Sequence, residues 1–212
     1  MIRLIRSSGL RRTAAVATAG LLAISGVVAS ASAASADTTL KVTYPVTGST
    51  FIKAANFTLA VGPGKLASKV DLTTNTLTAN LKLPDATGSF NDLGLVPVTA
   101  TTQFINDGPT TGTIDPTTGA VETTSQITLR LVDLTVGGID LPVGNSCETS
   151  TPATVQVTSE AGFSVITGGS LSGTYTIPDF ANCELATLLI NLTIPGSGNT
   201  ITLTLGKAKL HH

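Results

Sequence analysis

Few residues of this 212-residue chain carry reactive chemistry, and their positions limit which chemistry it is. Histidine occurs only as His211 and His212, the last two residues of the sequence. A Ser-His-Asp or Cys-His system needs an imidazole held firmly against its nucleophile, so here it would have to recruit the chain's tail. "GGSLSG", residues 168–173, places Leu171 where a nucleophile elbow requires serine, and reads as a glycine-rich turn into a strand around Tyr175. The sequence contains no phosphate loop and no dinucleotide fingerprint.

Paired carboxylates are the remaining catalytic option, since a glycosidase needs two acids about 5 to 10 Å apart. The thirteen acidic residues are scattered, and Asp71, Asp85, Asp107 and Asp115 all stand in turn-like contexts. Stacking aromatics for a sugar cleft are scarce: there is no Trp, and Tyr44 and Tyr175 are the only tyrosines. The expectation is a protein that is not an enzyme, with no catalytic residue, metal or cofactor.

Cys147 and Cys183 are the only cysteines. In an exported chain an even count reads as one disulfide, and no nearby histidine or third cysteine would complete a zinc site. Export is expected from the first 36 residues. Arg3, Arg6, Arg11 and Arg12 precede the uncharged stretch "TAAVATAGLLAISGVVA", and small residues follow it. Ala34-Ser35-Ala36 is the best cleavage site, which makes Asp37 the mature N-terminus. Arg11-Arg12 leaves the choice between general and twin-arginine export open. The apolar run from Thr13 to Val28 is too short and alanine-rich to span about 30 Å of hydrocarbon, and no later run spans it either.

The remaining 37–212 segment suits a single domain. It retains eight basic residues against all thirteen acidic ones, a net of −5. That balance argues against nucleic acid or an anionic membrane as partner.

These residues must be positioned by strands. Residues 37–212 hold 35 threonines, a β-branched residue whose hydroxyl keeps an outward face wet without charge. Apolar residues alternate with polar ones through Leu40, Val42 and Tyr44, through Leu77, Ala79 and Leu81, and through Ile201, Leu203 and Leu205. Period two with one wet face predicts an all-β fold, an antiparallel β-sandwich or a closed β-barrel. The phase changes at Leu131-Val132: Ile127, Leu129 and Leu131 share one side, Val132, Leu134 and Val136 the other. A regular strand cannot do this, so a bulge or a bend onto a second sheet is expected there.

"VDLTTNTL", residues 70–77, is echoed by "IDPTTGAV", residues 114–121. Asp71 and Asp115 suit Asx turns, with Asn75 and Gly119 taking the left-handed position. "GLVPV" at 94–98 and "GIDLPV" at 138–143 form a second echo, so blocks 66–100 and 110–145 read as two related hairpin units. Two "N-x-T" matches, Asn56 and Asn191, lie against apolar patterns and read as structural.

Residues 179–199 break the strand pattern. Leu185, Leu188, Leu189 and Leu192 recur at helical spacing, with Asn182 as candidate N-cap and Pro195-Gly196 as the stop. One short helix near the C-terminus is predicted, its leucine face turned into the core. A sharper alternative makes those leucines a lid over an apolar ligand.

The sequence resembles a group of uncharacterised secreted, threonine-rich β-domain proteins of actinobacteria. The segments "SGTYTIPDFANCE" (172–184) and "IPGSGNTITLTL" (194–205) carry the resemblance, together with the leader and the threonine-rich strands. It implies a secreted β-domain and carries over no catalytic residue.

The function expected is a secreted, non-catalytic β-sandwich acting at the cell envelope or outside the cell through contacts with a protein or envelope polymer. The competing expectation is a carrier of a small apolar molecule or lipid, held between the sheets beneath residues 183–192. A third class, an oligomeric envelope pore, would need long lipid-facing apolar rows and aromatic girdles that six Phe and two Tyr do not supply.

Overall fold

A computed structural model describes residues 38–92 and 95–211. The expected leader, 1–36, lies outside the described residues. The first half of the chain forms β1 (Thr39–Ile52), β2 (Phe57–Asp71), β3 (Thr76–Lys82), β4 (Ala86–Asp92), β5 (Val96–Asn106), β6 (Thr110–Ile114) and β7 (Val121–Val136). Then come β8 (Ile139–Asp140), β9 (Glu148–Thr149), β10 (Ala153–Ser159), β11 (Gly169–Ile177) and β12 (Phe180–Ala181). A 3-10 turn, Glu184–Ala186, leads into α1 (Thr187–Thr193), and β13 (Gly196–Leu205) and β14 (Lys209–His211) follow.

All pairings are antiparallel. The order β10-β11-β13-β1-β2-β3-β6-β7 returns to its start, because β7 also pairs with β10 from Glu122↔Thr158 to Ile127↔Ala153. Eight strands therefore close into a barrel, which decides between the two architectures the alternation allowed and replaces the sandwich. Closure leaves these strands no free edge in their shared part. Val42, Val46, Val61, Leu171, Leu203 and Leu205 meet inside it. Outward positions are polar: β3 presents Thr76, Thr78, Asn80 and Lys82, and β13 presents Thr200, Thr202 and Thr204. These are hydroxyls, an amide and an amine, not the apolar band of a lipid-facing strand. No helix among the described residues is long and apolar enough to cross a membrane.

β7 outruns the barrel. Its first part pairs with β6 and β10, and its second part with β5, which carries β4 on its far side. The predicted irregularity falls where the apolar phase flips: Thr102 pairs with Leu131 but Thr101 with Asp133, so Val132 is the extra residue of a bulge. Beyond it Leu134, with Val136 partly buried beside it, faces a second cluster containing Val98, Ile177, Phe180 and Ile190. Leu131, before the bulge, belongs to the same cluster, so the extra residue keeps Leu131 and Leu134 on one face, while Ile127 further back packs inside the barrel.

The two aspartate turns lie together at one end of the barrel. Thr73 and Thr74 N–H donate to Asp71 Oδ1 at 2.8 and 3.1 Å, and Thr117 and Thr118 N–H donate to Asp115 Oδ1 at 2.7 and 3.1 Å. Asn75 (φ 56°) and Gly119 (φ 74°) take the left-handed position. The hairpins they close, β2–β3 and β6–β7, are neighbours through β3–β6, and Ile114 N–H donates to Asn75 O at 2.9 Å. The second echo does not share one structure: Val96-Pro97-Val98 opens the long β5, whereas Ile139-Asp140 is the two-residue β8. A loop ending at Gly168 covers this end. Phe163 packs against Val70, Leu77 and Val121, and Tyr44 donates from inside the barrel to Val165 O at 2.6 Å. Burial pushes the Tyr44 hydroxyl up to about 12.

Candidate functional site

The opposite end carries the helix. Cys147 and Cys183 form the expected disulfide, both fully buried. The segment around it is held at several further points. Leu131 N–H donates to Cys147 O at 2.8 Å. Cys183 N–H donates to Thr187 Oγ1 at 3.1 Å, and that hydroxyl donates to Glu184 O at 3.0 Å. Asn191 closes a two-way clamp on Phe180, accepting from its N–H at 2.8 Å and donating to its carbonyl at 2.9 Å. Asn191 is therefore structural, as expected. Asn56 instead occupies an exposed turn, with φ 47°.

The helix exists where predicted, but it is rotated relative to the expectation. The buried row is Ala186, Ile190 and Ile194, whereas Leu185 is 96% exposed, Leu188 72% and Leu192 75%. Leu189 is half-buried on the flank. The predicted leucine face is therefore a surface ridge and not core. The segment is apolar on both sides, so periodicity alone does not fix its rotation; the Cys183 bond and the Asn191 clamp do. Asn182 does not cap the helix either. It adopts φ 60°; Cys183 takes the capping position of the 3-10 turn and Ala186 that of α1, and neither side chain bonds the helix start.

The smaller row fits a tight space. Phe90, Val98, Leu134 and Val136 approach Leu189, Ile190, Thr193 and Ile194 so closely that the void between them is about 10 Å³. That is about one water's room, which leaves no space for the apolar ligand expected beneath residues 183–192. The larger hollows of the interior are about 60 Å³, beside Tyr44 and Leu81, and about 50 Å³, beside Tyr175 and Phe57. Sites for drug-sized ligands are roughly 300 Å³ or more. Neither hollow takes a lipid chain without repacking.

Outside, an open groove of about 840 Å³ runs beside the ridge. Its walls are the β1–β2 turn with Asn56 and Phe57, the end of β4 with Ser89 and Phe90, and α1 with Leu189 and Leu192. The rings of Phe57 and Phe90 lie 5.5 Å apart. Gly88 makes this packing possible, since a Cβ there would come within 2.3 Å of the Phe57 ring. Among the described residues, three of the four non-glycine residues with positive φ, Asn56, Asn182 and Glu184, belong to this end. Such backbone is costly for residues with a Cβ and tends to gather at functional surfaces.

His211, the only described histidine, bonds Thr43 Oγ1 at 2.9 Å on β14, at the far end from the ridge. Arg130 and Glu148 form the sole ion pair among the described residues, at 3.1 Å.

The fold defines a closed eight-stranded antiparallel barrel whose one end is extended by a short sheet and capped by a disulfide-anchored helix. The chain matches no protein-family model, no curated protein and no solved structure.

Proposed function

We propose that this is an exported, non-catalytic barrel protein that works at the cell envelope or outside the cell, through contacts made by its helix end with a protein or an envelope polymer. The observation that carries this is the leucine ridge. Leu185, Leu188 and Leu192 each stand almost free in water on a helix anchored by a disulfide and by the Asn191 clamp. Burying each such side chain against a partner is worth roughly 1.5–3 kcal/mol. A ridge already held rigid loses little conformational freedom on binding, so most of that gain survives as affinity.

The disulfide supports export, because such bonds persist in oxidising compartments. Residue content speaks against catalysis, with the described histidine hydrogen-bonded on a strand far from the groove and ridge. The apolar-carrier alternative loses support from the small hollows inside the barrel and the packed space beneath the helix.

Site-specific photo-crosslinking in the producing organism tests the proposal. A photoreactive residue at Leu188 should give a discrete adduct with an extracellular or envelope component, and the same residue at Thr202, on the outer barrel face, should not. Identical adduct patterns at both positions would dismiss the ridge as a contact surface.

A further inference from the structure

We propose that the occupant of this end is a protein face with an apolar centre and a basic rim, an inference that rests on the ridge being a contact surface. Its first support is extent. Leu95 (86% exposed), Val96 (40%) and Ile139 (67%) join Leu185, Leu188 and Leu192 at the same end of the molecule. They flank Val98 and Val136, which pack under α1. At roughly 60–120 Å² for each side chain, the area implied by its transfer free energy, the six expose on the order of 500 Å² of apolar surface. A standard interface buries about 800 Å² per partner, of which rather more than half is apolar. The exposed area therefore matches the apolar share of one such interface. The groove beside the ridge gives a partner's side chains a receptor of their own.

Charge selects the kind of occupant. Glu184 immediately precedes the ridge, and Asp179 is exposed just before β12. Neither belongs to an ion pair among the described residues, since Arg130 is taken by Glu148. Lys53 lies beside Gly198 at this end. A second copy of the chain would bring the same carboxylates against these. An anionic bilayer would be repelled, and interfacial helices carry Lys or Arg beside their apolar face, whereas α1 has no charged residue. Lysine or arginine around a partner's apolar centre would meet the carboxylates at the rim, which favours encounter and selects against acidic faces.

The test uses the full-length protein as secreted and a fluorescent synthetic amphipathic helix with a leucine stripe flanked by lysines. Fluorescence anisotropy should show saturable binding. The affinity should fall at least tenfold in Leu188→Asn/Leu192→Asn and several-fold in Glu184→Gln/Asp179→Asn, with melting temperatures near that of the parent. It should also fall several-fold between 50 and 500 mM NaCl. The same helix with glutamates for lysines should bind at least tenfold more weakly. Equal binding of both helices would overturn the basic rim. Flotation with phosphatidylcholine or phosphatidylglycerol vesicles would assign the face to lipid, and ridge-dependent self-association in sedimentation would assign it to a second copy; either result overturns the proposal. Lack of binding to the lysine helix overturns it as well. If the Leu188 adduct persists in any of these cases, the contact-surface reading survives and only the chemistry of the partner is wrong.

Discussion

Neighbouring residues of α1 have opposite fates. Ile190 is 1% exposed and Leu188 72% exposed, although both are branched aliphatics two positions apart. Ile190→Ala should destabilise the protein by about 3 kcal/mol, through lost transfer energy and the cavity it leaves. Leu188→Ala should change stability by less than about 0.5 kcal/mol. Urea unfolding of the two variants checks the rotation of the helix directly, because a core-facing leucine row would reverse the order. The turn aspartates give a second residue-scale expectation. Backbone N–H groups of Thr74 and Thr73 hold the Asp71 carboxyl below its ordinary value, and those of Thr117 and Thr118 do the same for Asp115. A carboxyl whose folded-state pKa lies below its unfolded value adds stability that is complete above the unfolded value, about 3.9, and is lost as pH falls through the folded value. Asp71→Ala/Asp115→Ala should therefore melt below the parent at pH 6, and the gap should narrow on acidification below about pH 4. A gap independent of pH would mean that the turns do not depend on the carboxylate charge.

At the scale of elements, β7 does the most. Its bulge at Val132 keeps Leu134 on the same face as Leu131, so both pack at the helix end while Ile127 packs in the barrel. Deleting Val132 removes only the extra residue: Leu131 and Leu134 then stand two positions apart, still on one face and in the same register with β5. Hydrogen exchange should then stay slow across 184–194, which keeps its floor, and across the β7–β10 pairing of residues 122–127; fast exchange at 184–194 would mean that the bulge itself is needed to seat the helix. This feature was legible in the sequence, because a phase flip within one strand leaves few other outcomes. The Asx turns were legible for a similar reason: Asp, two Thr and Asn or Gly specify a local hydrogen-bond pattern that needs no distant partner. The rotation of α1 was not. "ELATLLINLTI" offers an apolar row on either side, and the choice depends on Asn191 reaching Phe180 and on Cys183 reaching Cys147. Both are tertiary contacts, invisible to periodicity. The groove was hidden too, because it joins the 54–57 turn, β4 and α1 from three separate parts of the chain.

For the whole molecule, alternation predicts a two-faced sheet equally well for a sandwich and a barrel. Only the return of β10 to β7 separates them, a pairing between strands whose registers the sequence does not encode locally. The disulfide acts at this scale, because Cys147 and Cys183 are 36 residues apart and tie the segment after β8 to the start of the helix. Cys147→Ala/Cys183→Ala should lower stability by about 4 kcal/mol if chain entropy dominates. Guanidinium unfolding checks the loss, and hydrogen exchange should place its largest effect at residues 180–194, leaving the β1–β2 pairing protected.

The two ends of the described chain meet on a single strand. Thr39 begins β1 beside Asp71, and His211 lies opposite Lys41 on the same strand, whereas Ile52 at the other extremity leads into the groove. β1 is 14 residues long, a span of about 45 Å. Anything joined ahead of residue 38 or beyond residue 211 therefore departs from the pole opposite the leucines. A tether fused at either terminus would leave the exposed leucines at the free pole of the molecule.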